Sequence, residues 1–297
     1  MSHLAIVNPR AGGGSRSRAA ARRARLVDRV RPHASEIAVT EYEGHAREIA
    51  KQATTYDGLI VVGGDGTVCE VLNGMALDRQ RLAIVPTGRA NSLARDLRLF
   101  PASLAIAALA AGNTAHIDLI DVVFEDYKQL RGRVVCASAV GVGYPAAVVR
   151  LAAARFAWLG THSYSVAAAC VRPTPMRVRI DYDGGSGDER VLTGVIANNT
   201  RYLANFVSAP KAVLNDGRFD VTEMNARTVS QNLHNLSALS GLPFHTPARV
   251  TQASALALAC EDPQSMLVDG ELYADVVAFT AHARPRAVDV VHGFRPG

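Results

Sequence analysis

The chain is 297 residues long, 48% hydrophobic and 20% charged, with 32 Lys and Arg against 27 Asp and Glu and a net charge of +5. This balance excludes a disordered or low-complexity chain and predicts roughly two domains with sizeable cores. Cys69, Cys136, Cys170 and Cys260 show neither CxxC nor Cys/His spacing, which argues against a zinc site or a disulfide framework and predicts a reducing cytoplasm.

The opening MSHLAIVNPRAGGG meets arginine and glycine too early for a secretory signal, and the uncharged stretch 134–149 is broken by glycines and Pro145. No membrane span is therefore expected. Residues 4–7 read as a short strand entering the loop Asn8-Pro9-Arg10-Ala11-Gly12-Gly13-Gly14. In the helix that follows, Arg18, Arg22, Arg25 and Arg29 share one face and Ala19, Leu26 and Val30 another. The plain reading is a solvated amphipathic helix; the sharper one is attraction to an anionic surface such as a phospholipid leaflet. Without interleaved aromatics, a nucleic-acid platform is the weaker version of that idea.

Next come a strand (36–40), a helix (44–54), a strand (58–62), the loop GGDGT, a helix (68–75), a strand (82–85), a loop (86–88) and a helix (91–97). Strands alternating with helices through short glycine loops predict an α/β domain with a largely parallel sheet, in which ligands gather at the strand ends. After about residue 120 the rhythm changes, and strands are expected at 134–140, 176–183, 191–198, 219–224, 266–268 and 274–280. Arg177, Arg179, Asp181 and Asp183 alternate there with Val178, Ile180 and Tyr182, the period of a half-buried strand. Helices are expected at 146–159 and 229–239, and Gly184 to Gly187 as a hairpin tip. The division read from this is an α/β domain over 1–120, a β-rich domain over 121–280, and a tail over 281–297 returning to the first.

The segment IVVGGDGTVCEVLNG, residues 60–74, sets four glycines behind a buried strand. Each costs about 0.5–1 kcal/mol relative to alanine, so something is expected to approach the backbone closely. Backbone N–H groups in glycine turns make nests for phosphate oxygens, and a helix N-terminus adds a favourable dipole. Asp65 is placed to accept from ribose hydroxyls or to reach magnesium, and Glu70 and Asn73 project from the next helix. No Walker-type lysine loop, HExxH or GxSxG occurs. Gly141-Val142-Gly143-Tyr144-Pro145-Ala146 matches a dinucleotide fingerprint but has no acidic partner between Asp126 and Asp181. Two acidic turns remain, Asn215-Asp216-Gly217 and Asp269-Gly270-Glu271; each fits a plain hairpin, yet either can bring a carboxylate to chemistry.

Six motifs occur in one order: Asn8-Pro9 with its glycines; Thr40 with Gly44-His45-Ala46; Gly63-Gly64-Asp65-Gly66-Thr67 with Glu70 and Asn73-Gly74; Pro86-Thr87-Gly88 with Asn91; Ala209-Pro210 with Asn215-Asp216-Gly217; and Asp269-Gly270-Glu271. Together they resemble the diacylglycerol kinase catalytic family of bacterial soluble lipid kinases and sphingosine kinases. The resemblance implies an N-terminal α/β domain like those of phosphofructokinases and NAD kinases, and a C-terminal β-sandwich carrying the lipid pocket. It implies ATP at Asn8, Thr40 and the Gly64 to Glu70 segment, with Gly63, Asn73, Gly88, Arg89 and Asn91 around it. A structural magnesium is implied near Val213, Asp216 and Arg218, two of them through backbone carbonyls, and a base at Asp269 or Glu271. The activity implied is transfer of the γ-phosphoryl of ATP to diacylglycerol or a related lipid alcohol, at a membrane surface or micelle. A cytoplasmic enzyme, peripheral at the inner membrane surface, follows; nucleic acid is not an expected partner, and a homodimer stays open. The alternatives are an NAD-kinase-type enzyme with a soluble substrate, or a nucleotide- and lipid-binding protein with little turnover. The second draws on two departures: where the family reads P-x-G-T-x-N-D, Arg89 and Ser92 stand for the threonine and the final acid.

Overall fold

In a computed structural model, residues 2–12, 16–203, 206–226, 228, 230–231 and 249–294 are described. Two compact units form: Met1–Ile117 with Arg286–Gly297, and Asp118–Pro285.

The first unit is α/β. It contains β1 (His3–Val7), α1 (Arg16–Val30), β2 (Glu36–Val39), α2 (His45–Gln52), β3 (Gly58–Gly63), α3 (Asp65–Leu72), β4 (Arg81–Pro86), α4 (Ser92–Asp96) and α5 (Ala102–Ala111). The strands run parallel in the order β2-β1-β3-β4, and residues 289 and 290, at the end of the last strand of the chain, pair parallel with β4. Every residue of β3 is buried, as the run Leu59-Ile60-Val61-Val62 demands of a strand covered on both faces. Val7 lies beside Val39 and Val62, and Val62 beside Val85, so the loops after these strands emerge along one edge. In α1, Leu26 and Val30 are buried and Arg25 and Arg29 exposed, the amphipathic split expected.

Two elements differ from expectation. Helix α3 begins at Asp65 rather than residue 68, because Gly64 takes an extended N-cap conformation (φ −105°, ψ −173°) and the acid favours the first turn. Helix α5 was not anticipated; its sequence ASLAIAALAA is rich in alanine and ends at Gly112 in the left-handed region (φ +69°).

The second unit is β-rich. It takes in β5 (Thr114–Asp126, from Asp118 on), β6 (Arg131–Cys136), β7 (Ala139–Gly143), α6 (Tyr144–Arg155), a 3-10 turn (Ala157–His162), α7 (Ser163–Cys170), β8 (Met176–Tyr182), β9 (Asp188–Leu192) and β10 (Gly194–Asn198). Then follow β11 (Tyr202–Leu203), β12 (Phe206–Val207), β13 (Phe219–Met224), β14 (Arg249–Ala253), β15 (Ala255–Val268) and β16 (Glu271–Val291, up to Pro285). Antiparallel pairing gives the order β14-β13-β10-β7-β15. Strand β15 pairs with β7 through Met266 to Val268 and with β8 through Leu256 to Cys260, its register against β16 shifting between Ala259 and Gln264. One long hairpin thus serves two strand arrays, and its turn is Asp269-Gly270. The strand expected at 134–140 is two strands parted at Ala137 and Ser138, and that at 191–198 is two parted at Thr193. The helix expected at 229–239 lies almost wholly outside the described residues.

Candidate functional site

In the first unit, three loops meet at the strand ends. A Cβ on Gly12 (φ +92°) would stand 2.3 Å from the Thr87 carbonyl oxygen, and one on Gly88 would stand 2.5 Å from Gly64 Cα. These glycines are required first by the contact of one loop with another, not by a ligand. Gly63 faces Thr67, whose Cβ would be 2.6 Å from an added methyl.

Side chains lock the same loops. Both oxygens of Asp65 accept backbone N–H groups, of Asn91 and of Ser92, each at 2.7 Å. Asp65 therefore caps α4 and joins the β3 and β4 loops. Asn91 takes the left-handed conformation (φ 54°), accepts the Gly88 N–H at 3.0 Å and donates to the Gly88 carbonyl at 2.8 Å. Asn8 donates to Thr67 Oγ1 at 2.9 Å, and its own amide oxygen accepts the Arg10 N–H at 2.8 Å. Thr40 is buried, with its N–H on the Val7 carbonyl. Glu70 accepts the Ala46 N–H at 3.0 Å, and the Asn73 carbonyl accepts from Arg47 Nε at 3.2 Å. Both residues thus tie α3 to α2. Arg89 is half-exposed in the β4 loop.

What this arrangement offers a ligand is specific. The N-terminus of α3 has no side-chain cap from its N-cap residue, Gly64, while those of α4 and α2 are served by Asp65 and Glu70. Uncapped N–H groups at a helix start bind anions. In the adjoining loop, Thr87 Oγ1 is buried and has no hydrogen-bond partner among the described residues. A positively polarised helix end and an unpaired hydroxyl fit a nucleotide triphosphate with its phosphates on α3.

In the second unit the DGE turn is held by its own first residue. Asp269 (φ 47°) is buried, and its Oδ1 accepts from Ser138 N–H (2.7 Å), Ala139 N–H (3.0 Å) and Cys136 Sγ (3.2 Å). Its Oδ2 accepts from Ala137 N–H at 2.6 Å. Burial pushes the Asp269 carboxyl above the usual range, and the four donors oppose that shift. Glu271 is half-exposed at the start of β16.

Two residues that sequence reasoning passed over support these turns. Asn199 donates to the carbonyls of Ala137 (3.0 Å) and Asp118 (2.8 Å), fixing the β6–β7 link that holds Asp269. Asp118 is buried, its Oδ2 accepts the Gly217 N–H at 2.6 Å, and its N–H donates to the Leu214 carbonyl. An acid inside the apolar run Ile117 to Ile120 was the available signal; Asn199 carried none.

The magnesium implied at the Asp216 turn has one carboxylate to draw on, beside backbone carbonyls. Asp216 Oδ1 accepts the Arg218 N–H at 3.0 Å and Oδ2 accepts from Gln252 Nε2 at 3.1 Å. Val213 and Arg218 can offer only backbone carbonyls, and no group of three acidic, histidine or cysteine side chains suited to a metal exists among the described residues.

Residues 2–122 match the family described as the diacylglycerol kinase catalytic domain, and residues 138–292 that described as the YegS C-terminal NAD kinase beta sandwich-like domain. A Bacillus subtilis diacylglycerol kinase is 27% identical over 241 residues, 78% of this chain and 77% of that protein. An Arabidopsis thaliana ceramide kinase is 35% identical over 89 residues, 28% of this chain but only 14% of that protein. The crystal structure of a diacylglycerol kinase from Bacillus anthracis superposes with a TM-score of 0.75 at 22% identity, covering 98% of this chain and 96% of that one. At that identity the superposition speaks for the fold.

Proposed function

This chain belongs to the diacylglycerol kinase catalytic-domain family, and we propose that it transfers the γ-phosphoryl group of ATP to the hydroxyl of diacylglycerol or a related lipid alcohol. The observation that carries the nucleotide half is the start of α3, where the N-cap residue Gly64 brings no side chain, among three interlocked glycine loops. There, backbone N–H groups and Arg89 hold phosphate oxygens, Thr87 Oγ1 finds the partner it lacks, and positioning with charge neutralisation supplies most of the acceleration.

The lipid hydroxyl needs a proton acceptor, and the DGE turn provides it. With four donors on Asp269, the half-exposed Glu271 is the carboxylate with reach, and Asp269 fixes the turn that presents it. No step is assigned to a metal at Val213, Asp216 and Arg218. Among the described residues no helix is long and apolar enough to cross a membrane, so the acceptor is reached from a surface.

The test is incubation with ATP labelled at the γ-phosphoryl, in magnesium buffer, with micellar lipid alcohols and with NAD. A labelled lipid supports the reading, and Glu271→Gln should then lower turnover by about 10²-fold with ATP affinity kept. Labelled NAD in place of lipid would replace it with a soluble-substrate kinase. ATP binding with no labelled product would leave a binding protein with little turnover.

A further inference from the structure

From Tyr127 to Ile180 the chain holds no Asp or Glu, while Arg150 and Arg155 fall on α6 within that run. Helices α6 and α7 fold back on each other. Tyr144 Oη donates to the Ala168 carbonyl at 2.7 Å, and Tyr144, Val148, Ala152, Ala167 and Ala168 make a buried cluster with Phe156 packed against it. The tip of this helical hairpin is the 3-10 turn Ala157–His162. It is tied by the Leu159 N–H to the Phe156 carbonyl (2.9 Å) and by Ser163 Oγ to the Gly160 carbonyl (2.8 Å).

On this ordered tip Trp158, the only tryptophan of the chain, is 79% exposed, more than any other large hydrophobic side chain described. Arg155 and His162, close to it in the chain, are exposed as well, as is Arg150 on α6, whose guanidinium donates to Ser265 Oγ at 3.5 Å. An indole held in water by a fixed turn, flanked by arginines and by no acid from its own hairpin, matches the membrane–water interface, where Trp is enriched and cations meet anionic headgroups.

We propose that the tip of the α6–α7 hairpin is an interfacial anchor that seats the second unit on an anionic lipid bilayer. The inference rests on the proposed lipid acceptor only for its purpose; the surface chemistry stands without it. Charge disfavours a second copy of the chain as the occupant, because two such tips would oppose like-charged arginines. The basic helix α1 is the poorer candidate for insertion, since Arg16–Val30 contains no aromatic residue.

The single tryptophan makes the test direct. Full-length protein is titrated with vesicles of phosphatidylcholine containing 30% phosphatidylglycerol, and with phosphatidylcholine alone, while Trp158 emission and its quenching by acrylamide and by brominated acyl chains are followed. The expected result is a blue shift, protection from acrylamide and quenching by the brominated lipid, on the anionic vesicles above all. Sedimentation should show Arg150→Gln with Arg155→Gln weakening binding by about 25-fold, at roughly fivefold per basic residue. Trp158→Ser should weaken it by about tenfold or more. Cosedimentation with Trp158 emission unmoved would place the contact elsewhere and overturn the inference, as would absence of binding or a shift produced by protein concentration alone. Kinase assays separate this outcome from the fate of the proposed activity. Trp158→Ser should keep wild-type turnover on a short-chain monomeric diacylglycerol and lose it on vesicles. A protein that labels no lipid but still inserts Trp158 would refute the kinase reading and leave the anchor standing.

Discussion

Asp269→Asn separates an anchoring role for that residue from a catalytic one. The substitution keeps shape, and asparagine tolerates the left-handed φ of 47°, so the backbone is not strained. It changes the bonding. If the amide oxygen takes the place of Oδ1, the Ser138 and Ala139 N–H groups keep an acceptor, but an NH2 group then faces the Ala137 N–H. One buried donor is orphaned at a cost of about 1–3 kcal/mol, and two charge-assisted bonds become neutral at about 1 kcal/mol each. The expected loss is about 3–5 kcal/mol, a large share of the roughly 5–15 kcal/mol that holds a domain folded. Urea denaturation followed by circular dichroism measures it, with Glu271→Gln as the control expected within about 0.5 kcal/mol of wild type. A loss under about 1 kcal/mol in Asp269→Asn would refute the four-donor arrangement. If that stable variant were also inactive while Glu271→Gln turned over normally, the proton acceptor would be Asp269.

Gly88→Ala drives a methyl to 2.5 Å from Gly64 Cα and 2.9 Å from Asn91 Oδ1, which should cost about 1–3 kcal/mol and weaken ATP binding; calorimetry showing wild-type affinity would contradict the loop contact. Asn198→Leu removes a fully buried amide whose two polar atoms have no partner among the described residues, and should raise stability by about 1–3 kcal/mol; a loss on thermal unfolding would mean that the amide binds a group of its own. The Asp183 carboxyl is held below its usual range chiefly by the Ser254 hydroxyl, so its contribution to stability is present above the unfolded carboxylate value and fades as pH falls through the lowered one. Ser254→Ala should move that midpoint up towards the usual value in an NMR titration, and an unmoved midpoint would assign the shift to the backbone donors instead.

Much of the first unit was legible because its strands are short runs of small aliphatic residues followed by loops that carry glycine. The loops were placed correctly, and their convergence follows from parallel pairing in register. The use of the glycines was less legible, since a clash between Gly64 and Gly88 is a fact of tertiary approach that neither segment contains alone. For the same reason the helix contacts of Asp65 and Glu70 were not legible: a carboxylate beside a glycine loop looks the same in sequence whether or not it meets the N–H groups of a neighbouring helix. The second unit was read as strands, yet the break at Ala137 and Ser138 was missed, because the apolar run continues through it. That break exists to turn three N–H groups onto Asp269, a residue more than a hundred positions away.

The departures at Arg89 and Ser92 bear on catalysis through charge, not through loss of the lock. Asp65 meets the backbone N–H of Ser92 at 2.7 Å, so the join between the two loops needs no acid at position 92. Ser92 is itself buried, and a carboxylate there would set a second anion beside Asp65. Serine removes that negative charge and Arg89 adds a positive one, both on the side where phosphates are expected to bind. In the proposed reaction the two changes would act in the same direction and lessen the work left to a metal ion in neutralising a triphosphate. Arg89→Thr should therefore weaken ATP binding more without magnesium than with it. Calorimetry under both conditions measures the difference, and equal weakening in the two would show that Arg89 holds no phosphate.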